Sequence, residues 1–163
     1  MTRSWNETQS LAERAARGAG VPFAQAARFA VGVTRHLSEG RRTGPIAAAL
    51  DNPEIIHDLT IEVERIIEAA SVSGSVWQGT SGSPELLQSV IESLPCASAV
   101  TVSGDQVHAH LVLSQPPSRA RPARVKVPEK LHAQMNNLAQ LTYVPDSAES
   151  RSTGAGAELM ELD

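Results

Sequence analysis

The sequence has few of the residues on which disulfide-bonded, metal-binding and membrane proteins depend. Cys96 is its only cysteine, which excludes an internal disulfide framework and a cysteine-cluster metal site. No apolar run approaches the ~18 residues that a membrane helix needs, so no membrane partner is predicted. The first ten residues, MTRSWNETQS, lack the apolar stretch of a signal peptide, and we therefore expect a cytoplasmic protein.

Aromatic residues and net charge are also scarce. Aromatics make up 3% of the chain, whereas alanine occupies 23 positions, so the core must consist of closely packed aliphatic side chains. The formal net charge is -4, and a non-specific nucleic-acid binder would be basic, so no nucleic-acid partner is predicted. A chain of 163 residues with 41% apolar residues is long enough to bury one core.

Helical periodicity dominates residues 1–70. Ser4 and Glu7 form a capping-box pattern that predicts a first helix, and Gly18 stands where a left-handed residue would end it. Pro22 suits the start of a second helix, and the short connection predicts a helical hairpin. The apolar stripe of this second helix is Phe23, Ala26, Ala27, Ala30, Val33 and Leu37.

A further helix is predicted after Pro53, with an apolar stripe on one face and a solvated charged face opposite. The stripe comprises Ile55, Ile56, Leu59, Val63, Ile66, Ile67 and Ala70. The charged face comprises Asp58, Glu62, Glu64, Arg65 and Glu68. Residues 71–82 break the pattern and predict a loop with a short strand at Val76 and Trp77.

The period changes to two after a short helix that is predicted to begin at Ser83 and Pro84. Residues 100–113 alternate between apolar and polar, and a turn at Gly104 predicts a hairpin with one apolar face. A third strand is predicted at residues 125–127, followed by a helix that begins at Pro128. Its inward-facing residues are predicted to be Leu131, Met135, Leu138 and Leu141 or Thr142.

These elements predict an α+β fold, because the helices precede the strands and do not alternate with them. We expect an N-terminal helical hairpin and helices, followed by a small antiparallel sheet with covering helices. A single domain is predicted over residues 1–145, with a helical part at 1–70 and a mixed part at 83–145. Residues 146–163 are a glycine- and serine-rich acidic tail.

Two segments carry a resemblance to a known family. Residues 4–20 read SWNETQSLAERAARGAG, and residues 142–163 read TYVPDSAESRSTGAGAELMELD. The chain resembles an uncharacterised proteobacterial family, a domain of unknown function, whose members share a Trp-Asn-Glu opening and a Gly-Ala-Gly run near an acidic end. Glu158 departs from this pattern, since glycine is usual there, and residues 161–163 replace a more polar acidic finish. The resemblance implies the layout and no activity.

The same two segments supply the candidate ligand-binding residues. A glycine-rich turn before a helix presents free amides to an anion, and Arg17 adds a planar cation. Hydroxyl and guanidinium groups before two glycines in the tail suit a carboxylate or phosphate. The candidate ligand-binding residues are Arg17, Gly18, Gly20, Ser150, Arg151, Thr153, Gly154 and Gly156. The structural alternatives are a tight interhelical turn and a disordered or docked terminus.

Three further groups have structural interpretations that we prefer. His108 and His110 would point to the same side of a strand, as two metal ligands do, but no further ligands are near in sequence, so no metal is predicted. Cys96 is predicted to be a small buried hydrophobe. The basic stretch of Arg119, Arg121, Arg124, Lys126 and Lys130 is predicted to pair with the acidic tail.

The function favoured by these patterns is binding of, or catalysis on, a small anionic metabolite. Arg17 and Arg151 would clamp a carboxylate while glycine amides complete its shell. The alternative is a non-catalytic accessory or oligomeric subunit of an enzyme complex, and a homo-oligomer is expected. No dinucleotide motif follows a strand and no phosphate loop is present, so no cofactor is predicted and the sequence names no reaction.

Overall fold

The fold is given by a computed structural model that describes residues 1–73, 76–117 and 119–142. Within these residues the chain is α+β, as predicted. The helices are α1 (Trp5–Gly18), α2 (Phe23–Ser38), α3 (Gly44–Asp51), α4 (Glu54–Ser73), α5 (Pro84–Ile91) and α6 (Glu129–Gln140). The strands are β1 (Thr2–Ser4), β2 (Val76–Thr80), β3 (Ala97–Ser103), β4 (Gln106–Val112) and β5 (Arg124–Lys126). No described helix has the length and apolar content required to cross a bilayer.

The α1–α2 hairpin begins with the predicted capping box. Ser4 Oγ accepts the Glu7 N–H at 3.2 Å, and the Glu7 carboxylate accepts the Ser4 N–H at 2.8 Å. These bonds satisfy backbone donors that have no partner within the helix. Small side chains lie on the buried faces of both helices, including Ala15 and Ala30, and therefore allow a close approach.

The prediction that Gly18 ends α1 in a left-handed conformation is wrong. The residue with a positive φ, of +95°, is Gly20, two positions later. Gly18 is the last residue of α1 and lies against α6, where a Cβ atom would be 1.9 Å from the carbonyl oxygen of Leu138. A glycine is therefore required at position 18 by packing and at position 20 by backbone conformation.

Helix α2 packs against α1, α4 and α5. The predicted stripe of α4 is buried at Ile56, Leu59, Val63 and Ile66, and α4 continues to Ser73, beyond the predicted start of a loop at residue 71. Gly32 of α2 lies so close to α5 that a Cβ atom there would be 2.4 Å from Val90 Cγ2. One continuous apolar cluster includes residues of the described helices and strands alike.

The predicted hairpin forms with its predicted register. Val102 pairs with Val107, and Gly104 at the turn has a φ of +63°. The short strand expected at residues 76–77 is longer, as Val76–Thr80, and it pairs with β4 on the other side. The resulting antiparallel sheet has the order β2-β4-β3.

The predicted third strand does not join this sheet. β5 pairs antiparallel with β1, a strand that sequence analysis missed, and the two form a separate ribbon. The Met1 amino group donates to the Val127 carbonyl at 2.9 Å, and the Val127 N–H donates back to Met1 at 2.9 Å. A three-residue strand at a chain end gives too short a pattern for sequence recognition.

Three residues predicted to face the core are exposed, and one of them is Leu113, which is 44% exposed just after β4 ends at Val112. Phe23, in the predicted stripe of α2, is 65% exposed and lies under the Arg17 guanidinium, whose central carbon is 5.6 Å from the ring centroid. Leu141 is 71% exposed because α6 ends at Gln140, and the chain turns before this residue could reach the core.

Candidate functional site

The predicted N-terminal motif does not form an anion site by itself. Gly18 contacts α6, and the exposed Arg17 lies over Phe23. The small cavity at Gly20 is lined by Glu54 and His57 and by no arginine. The carboxylate opposes an anion, so the arrangement favours the structural interpretation of this turn.

The C-terminal half of the predicted site lies outside the described residues. This applies to Ser150, Arg151, Thr153, Gly154 and Gly156. The described chain ends at Thr142, one turn after Leu138, whose carbonyl oxygen lies against Gly18. The described chain therefore ends close to the N-terminal glycine motif. A joint site of the two glycine-rich segments remains a prediction.

A cavity larger than the one at Gly20 lies elsewhere in the described structure. It has a volume of about 630 Å³ and opens between the N-terminus of α3, the N-terminus of α5 and the β3–β4 turn. Its lining includes Arg42, Gly44 and Pro45 on one side and Ser83, Pro84 and Glu85 on the other. Such a concave site with a few convergent polar groups is the usual form of a small-molecule site.

Both helices begin at this cavity without a side-chain cap. Thr43 and Ser83 occupy the N-cap positions, yet neither side chain bonds a backbone amide of its helix. The first amides of a helix have no partner within it, and they carry the positive end of the helix dipole. Pro45 and Pro84 each remove one donor from these first turns. Ala47 donates its N–H to the Thr43 carbonyl, and Leu86 and Leu87 donate theirs to the Ser83 carbonyl, so few free amides remain at these helix starts.

One arginine and one glutamate stand at the rim of this cavity. Arg42 Nη2 donates to Glu85 Oε1 at 2.6 Å, although the Arg42 side chain is 83% exposed. The hydrogen bond from Arg42 lowers the pKa of the Glu85 carboxyl. Glu85 holds the guanidinium at the rim, where a bound anion could share its remaining N–H groups.

A buried polar network lies behind the rim. His36 Nε2 is 2.7 Å from the Arg42 carbonyl oxygen, which can only accept, so Nε2 carries the hydrogen. His36 Nδ1 is 2.9 Å from Ser89 Oγ, to which Arg41 Nη1 donates at 2.6 Å. Burial lowers the pKa of His36 and favours the neutral ring. Neither His36 nor Ser89 has exposed surface, so this pair joins α2 to α5 and does not contact a substrate.

Glu92 anchors the rest of this network. Its side chain is fully buried, and it accepts from Arg41 at 2.7 Å, Gln88 at 3.0 Å and Arg119 at 3.1 Å. Among the described residues, the carboxylate partners of Arg119 are Glu92 and Glu39, and the predicted pairing of the basic stretch with the acidic tail stays a prediction because the tail lies outside them. A buried carboxylate thus ties the segment after β4 to α5.

A smaller cavity adjoins the first one and has an acidic lining. It shares Gly82 and Ser83 with the large cavity and adds Asp58 and Glu62 of α4. Glu62, which was predicted to be solvated, is half-buried, and Ser81 Oγ donates to it at 2.7 Å. Burial raises the pKa of Glu62, and the Asp58 charge adds to this effect.

The remaining candidate residues are two histidines of the sheet and the single cysteine. His108 and His110 are exposed side by side on the outer face of the sheet. Among the described residues, no group of three potential metal ligands is found. Cys96 is buried, as predicted, and burial raises the pKa of its thiol.

Sequence reasoning missed the residues around the large cavity. Arg42 stands in an unpatterned stretch, and Ser83 was considered only as the start of a helix. The available signal was the pair of Gly-Pro and Ser-Pro helix starts, at residues 44–45 and 83–84. Their convergence on one cavity depends on the packing of α3 and α5 and is not encoded in spacing.

Comparisons with known proteins assign no family and no function to the chain. No family profile matches the chain, and neither curated proteins nor solved structures give a match. The proteobacterial family resemblance therefore remains a prediction carried by the two chain ends.

Proposed function

We propose that the protein binds a small anionic metabolite in the cavity between α3, α5 and the β3–β4 turn. The observation that carries this proposal is the convergence of two helix N-termini without side-chain caps on one cavity of about 630 Å³. The proposed ligand is a small anion, as in the prediction from sequence, but the proposed binding arginine is Arg42 and not Arg17.

The chemistry of the rim supports an anion over a cation. Backbone amides at a helix N-terminus and an arginine fork both donate hydrogen bonds, and both bind carboxylates or phosphates. Glu85 is already paired with Arg42 through one oxygen, and its other oxygen is buried. This second Glu85 oxygen has no hydrogen-bond partner among the described residues, so the support for an anion comes from the Arg42 guanidinium and the free helix amides. The proposal includes a cytoplasmic location and no nucleic-acid partner.

Binding of inorganic phosphate, malonate and citrate to the full chain, measured by calorimetry, tests this proposal. Arg42→Ala should weaken binding of the tightest of these probes by about 10-fold or more, since one charge-assisted hydrogen bond is worth about 1.5–3 kcal/mol. Arg65→Ala is the matched control, because Arg65 is an exposed arginine of α4 outside the lining of the cavity.

Two outcomes would contradict the proposal. In one, none of the three anions binds. In the other, binding survives Arg42→Ala unchanged but is lost in Arg17→Ala, which would return the site to the N-terminal motif. Circular dichroism spectra that match the wild type would show that each variant is folded.

The second candidate function, an accessory subunit that self-associates, is favoured by the outer face of the three-stranded sheet. This face carries no lysine, arginine, aspartate or glutamate, although 20% of the chain is charged. Its residues are Val76, Gln78, Thr80, Ala99, Thr101, Ser103, Gln106, His108 and His110. Uncharged surfaces of this kind are typical of the centres of interfaces.

Light scattering coupled to size exclusion tests the homo-oligomer. If this face is the interface, Thr101→Glu should convert the assembly into monomers, because it buries an unpaired charge. Thr60→Glu on the partly buried flank of α4 is the comparison, and it should leave the assembly intact. A monomeric wild type would reject this second function.

A further inference from the structure

The charges of this chain are unevenly divided between the described fold and the C-terminal segment. Residues 1–142 hold thirteen basic and thirteen acidic side chains, so they are formally neutral. Residues 143–163 hold five acidic side chains and one arginine, and they account for the whole net charge of -4. The acidic side chains of this segment are Asp146, Glu149, Glu158, Glu161 and Asp163.

Ten of the thirteen basic residues of the described fold fall into two groups, and Arg14, Arg17 and Arg65 lie outside both. One group is ion-paired with carboxylates of the helices: Arg28, Arg35, Arg41, Arg42 and Arg119. The other group lies along and beside the β1–β5 ribbon: Arg3, Arg121, Arg124, Lys126 and Lys130. We call this second group the basic ribbon. Within the described residues, no member of the basic ribbon forms a salt bridge.

The geometry of the ribbon directs the charges of Arg124 and Lys126 outward, whereas Arg3 pairs with Val125 and shares its face of the ribbon. Val125 is buried between the exposed Arg124 and Lys126, as alternation along a strand requires. The carboxylates beside the ribbon are Glu7 and Glu129, and Glu7 is engaged with the Ser4 N–H of the capping box. The ribbon therefore keeps an excess of positive charge in a fold that is neutral as a whole.

We propose that the basic ribbon is the docking surface of the acidic C-terminal segment, residues 143–163, of the same chain. Five carboxylates in this segment match five ribbon cations that form no salt bridge within the described residues, of which Arg121 also lies over the Trp5 ring. An isolated exposed ion pair stabilises a structure by about 0–1 kcal/mol. A segment tethered to the fold acts at an effective concentration in the mM range, so several weak pairs suffice to hold it.

The length of the segment permits this contact. Lys130 lies in the first turn of α6 and Thr142 just beyond its end, so about 18 Å separate them along the helix axis. An extended chain spans at most about 3.3–3.6 Å per residue, so roughly six residues beyond Thr142 cover this distance. Glu149 and every later carboxylate therefore come within reach of the ribbon.

Carbodiimide coupling on the full-length chain tests the proposal directly, because it joins amines to carboxylates in contact. Lys126 and Lys130 are the only lysines of the sequence, and the Met1 amine is bonded to Val127 beside them. Every primary amine therefore reports on the ribbon alone. We expect products that join Lys126 or Lys130 to Glu149, Glu158, Glu161 or Asp163, identified by mass spectrometry.

Two controls define this result. In a mixture of ¹⁴N- and ¹⁵N-labelled protein, the products should join residues of one chain. Their yield should fall by about five-fold or more between about 20 mM and 500 mM salt, since salt of this concentration screens exposed charges. Glu158→Gln/Glu161→Gln/Asp163→Asn should reduce the total yield of tail coupling, whereas Asp58→Asn/Glu64→Gln/Glu68→Gln, with the same charge change on α4, should not.

Three outcomes would overturn the proposal. Coupling restricted to Glu7 and Glu129 would show that the segment does not visit the ribbon. Coupling only between labelled and unlabelled chains would assign the ribbon to an intermolecular contact. Heparin binding that depends on Lys126 and Lys130, together with absent tail coupling, would assign the ribbon to an external polyanion.

Discussion

The carbonyl oxygen of Leu138 lies 1.9 Å from the position that a Cβ atom would take at Gly18. Helices α1 and α6 thus touch through backbone at the point where the chain leaves the described fold. This contact depends on the absence of a side chain at position 18.

Gly18→Ala should lower the free energy of unfolding by about 2–3 kcal/mol, because backbone atoms cannot move aside as a flexible side chain would. Urea denaturation followed by circular dichroism measures the change. Gly20→Ala is the comparison: no atom lies within 4 Å of its Cβ position, and its cost of about 1–2 kcal/mol arises from the φ of +95° alone. An unchanged midpoint for Gly18→Ala would show that the helices are farther apart.

Glu92→Gln should destabilise the fold by about 3 kcal/mol, near the lower limit for a broken buried ion pair. Arg41 and Arg119 would lose their shared carboxylate, but both retain some exposure and can bind water. Glu64→Gln is the matched control, because Glu64 is 64% exposed and pairs with the partly exposed Arg28, and its cost should stay below about 1 kcal/mol. Equal losses in the two variants would contradict the anchoring role of Glu92.

Protonation of His36 should weaken the fold on the acidic side of neutrality. Burial lowers the pKa of His36 below its ordinary value of 6.5. As the pH falls through 6.5, the unfolded chain takes up a proton that the folded chain resists, so the free energy of unfolding decreases. The contribution is complete above pH 6.5 and is lost between 6.5 and the lower pKa of the folded state.

His36→Gln separates this effect from that of other titrating groups. The pKa of Glu62 is raised, so its protonation in acid increases the free energy of unfolding, opposite to the effect of His36. Glu62 is present in both the wild type and His36→Gln, so its contribution is the same in the two proteins. Urea midpoints at pH 7.5 and pH 5.5 should therefore differ more in the wild type than in His36→Gln. Parallel pH dependence of the two proteins would contradict a buried neutral His36.

Cys96 should react slowly with a thiol reagent such as DTNB in the folded protein. Cys96 is 6% exposed, so the reagent has little access to its sulfur. Burial also raises the pKa of the thiol, so the thiolate fraction is low. We expect a rate at pH 7.5 that is about 10-fold or more below the rate in urea. Comparable rates in the two conditions would place Cys96 at the surface.

The long periodic elements were predictable, and the reason is visible in particular residues. The α4 stripe of Ile56, Leu59, Val63 and Ile66 repeats over several turns, so its burial follows from the pattern alone. The pairing of Val102 with Val107 follows from alternation and from one turn glycine. The prediction that Phe23 is buried was wrong, because an apolar stripe does not show whether its first residue reaches the neighbouring helix.

The candidate site was less predictable than the fold. Arg42, Ser83 and Gly104 are far apart in sequence and meet only because α3, α5 and the β3–β4 turn pack around one cavity. The polar network around Glu92 likewise joins residues separated by 53 positions, as in the bond between His36 and Ser89. No local pattern carries such contacts.

The sequence by itself determined the α+β class, the capping box at Ser4, the hairpin register and a core with few aromatics, because each depends on periodicity or on neighbours a few residues apart. Tertiary structure alone decided the pairing of β1 with β5, the contact of Gly18 with Leu138 and the meeting of two helix N-termini at one cavity. These are long-range contacts, which are fixed by how whole elements pack and not by the order of residues within them.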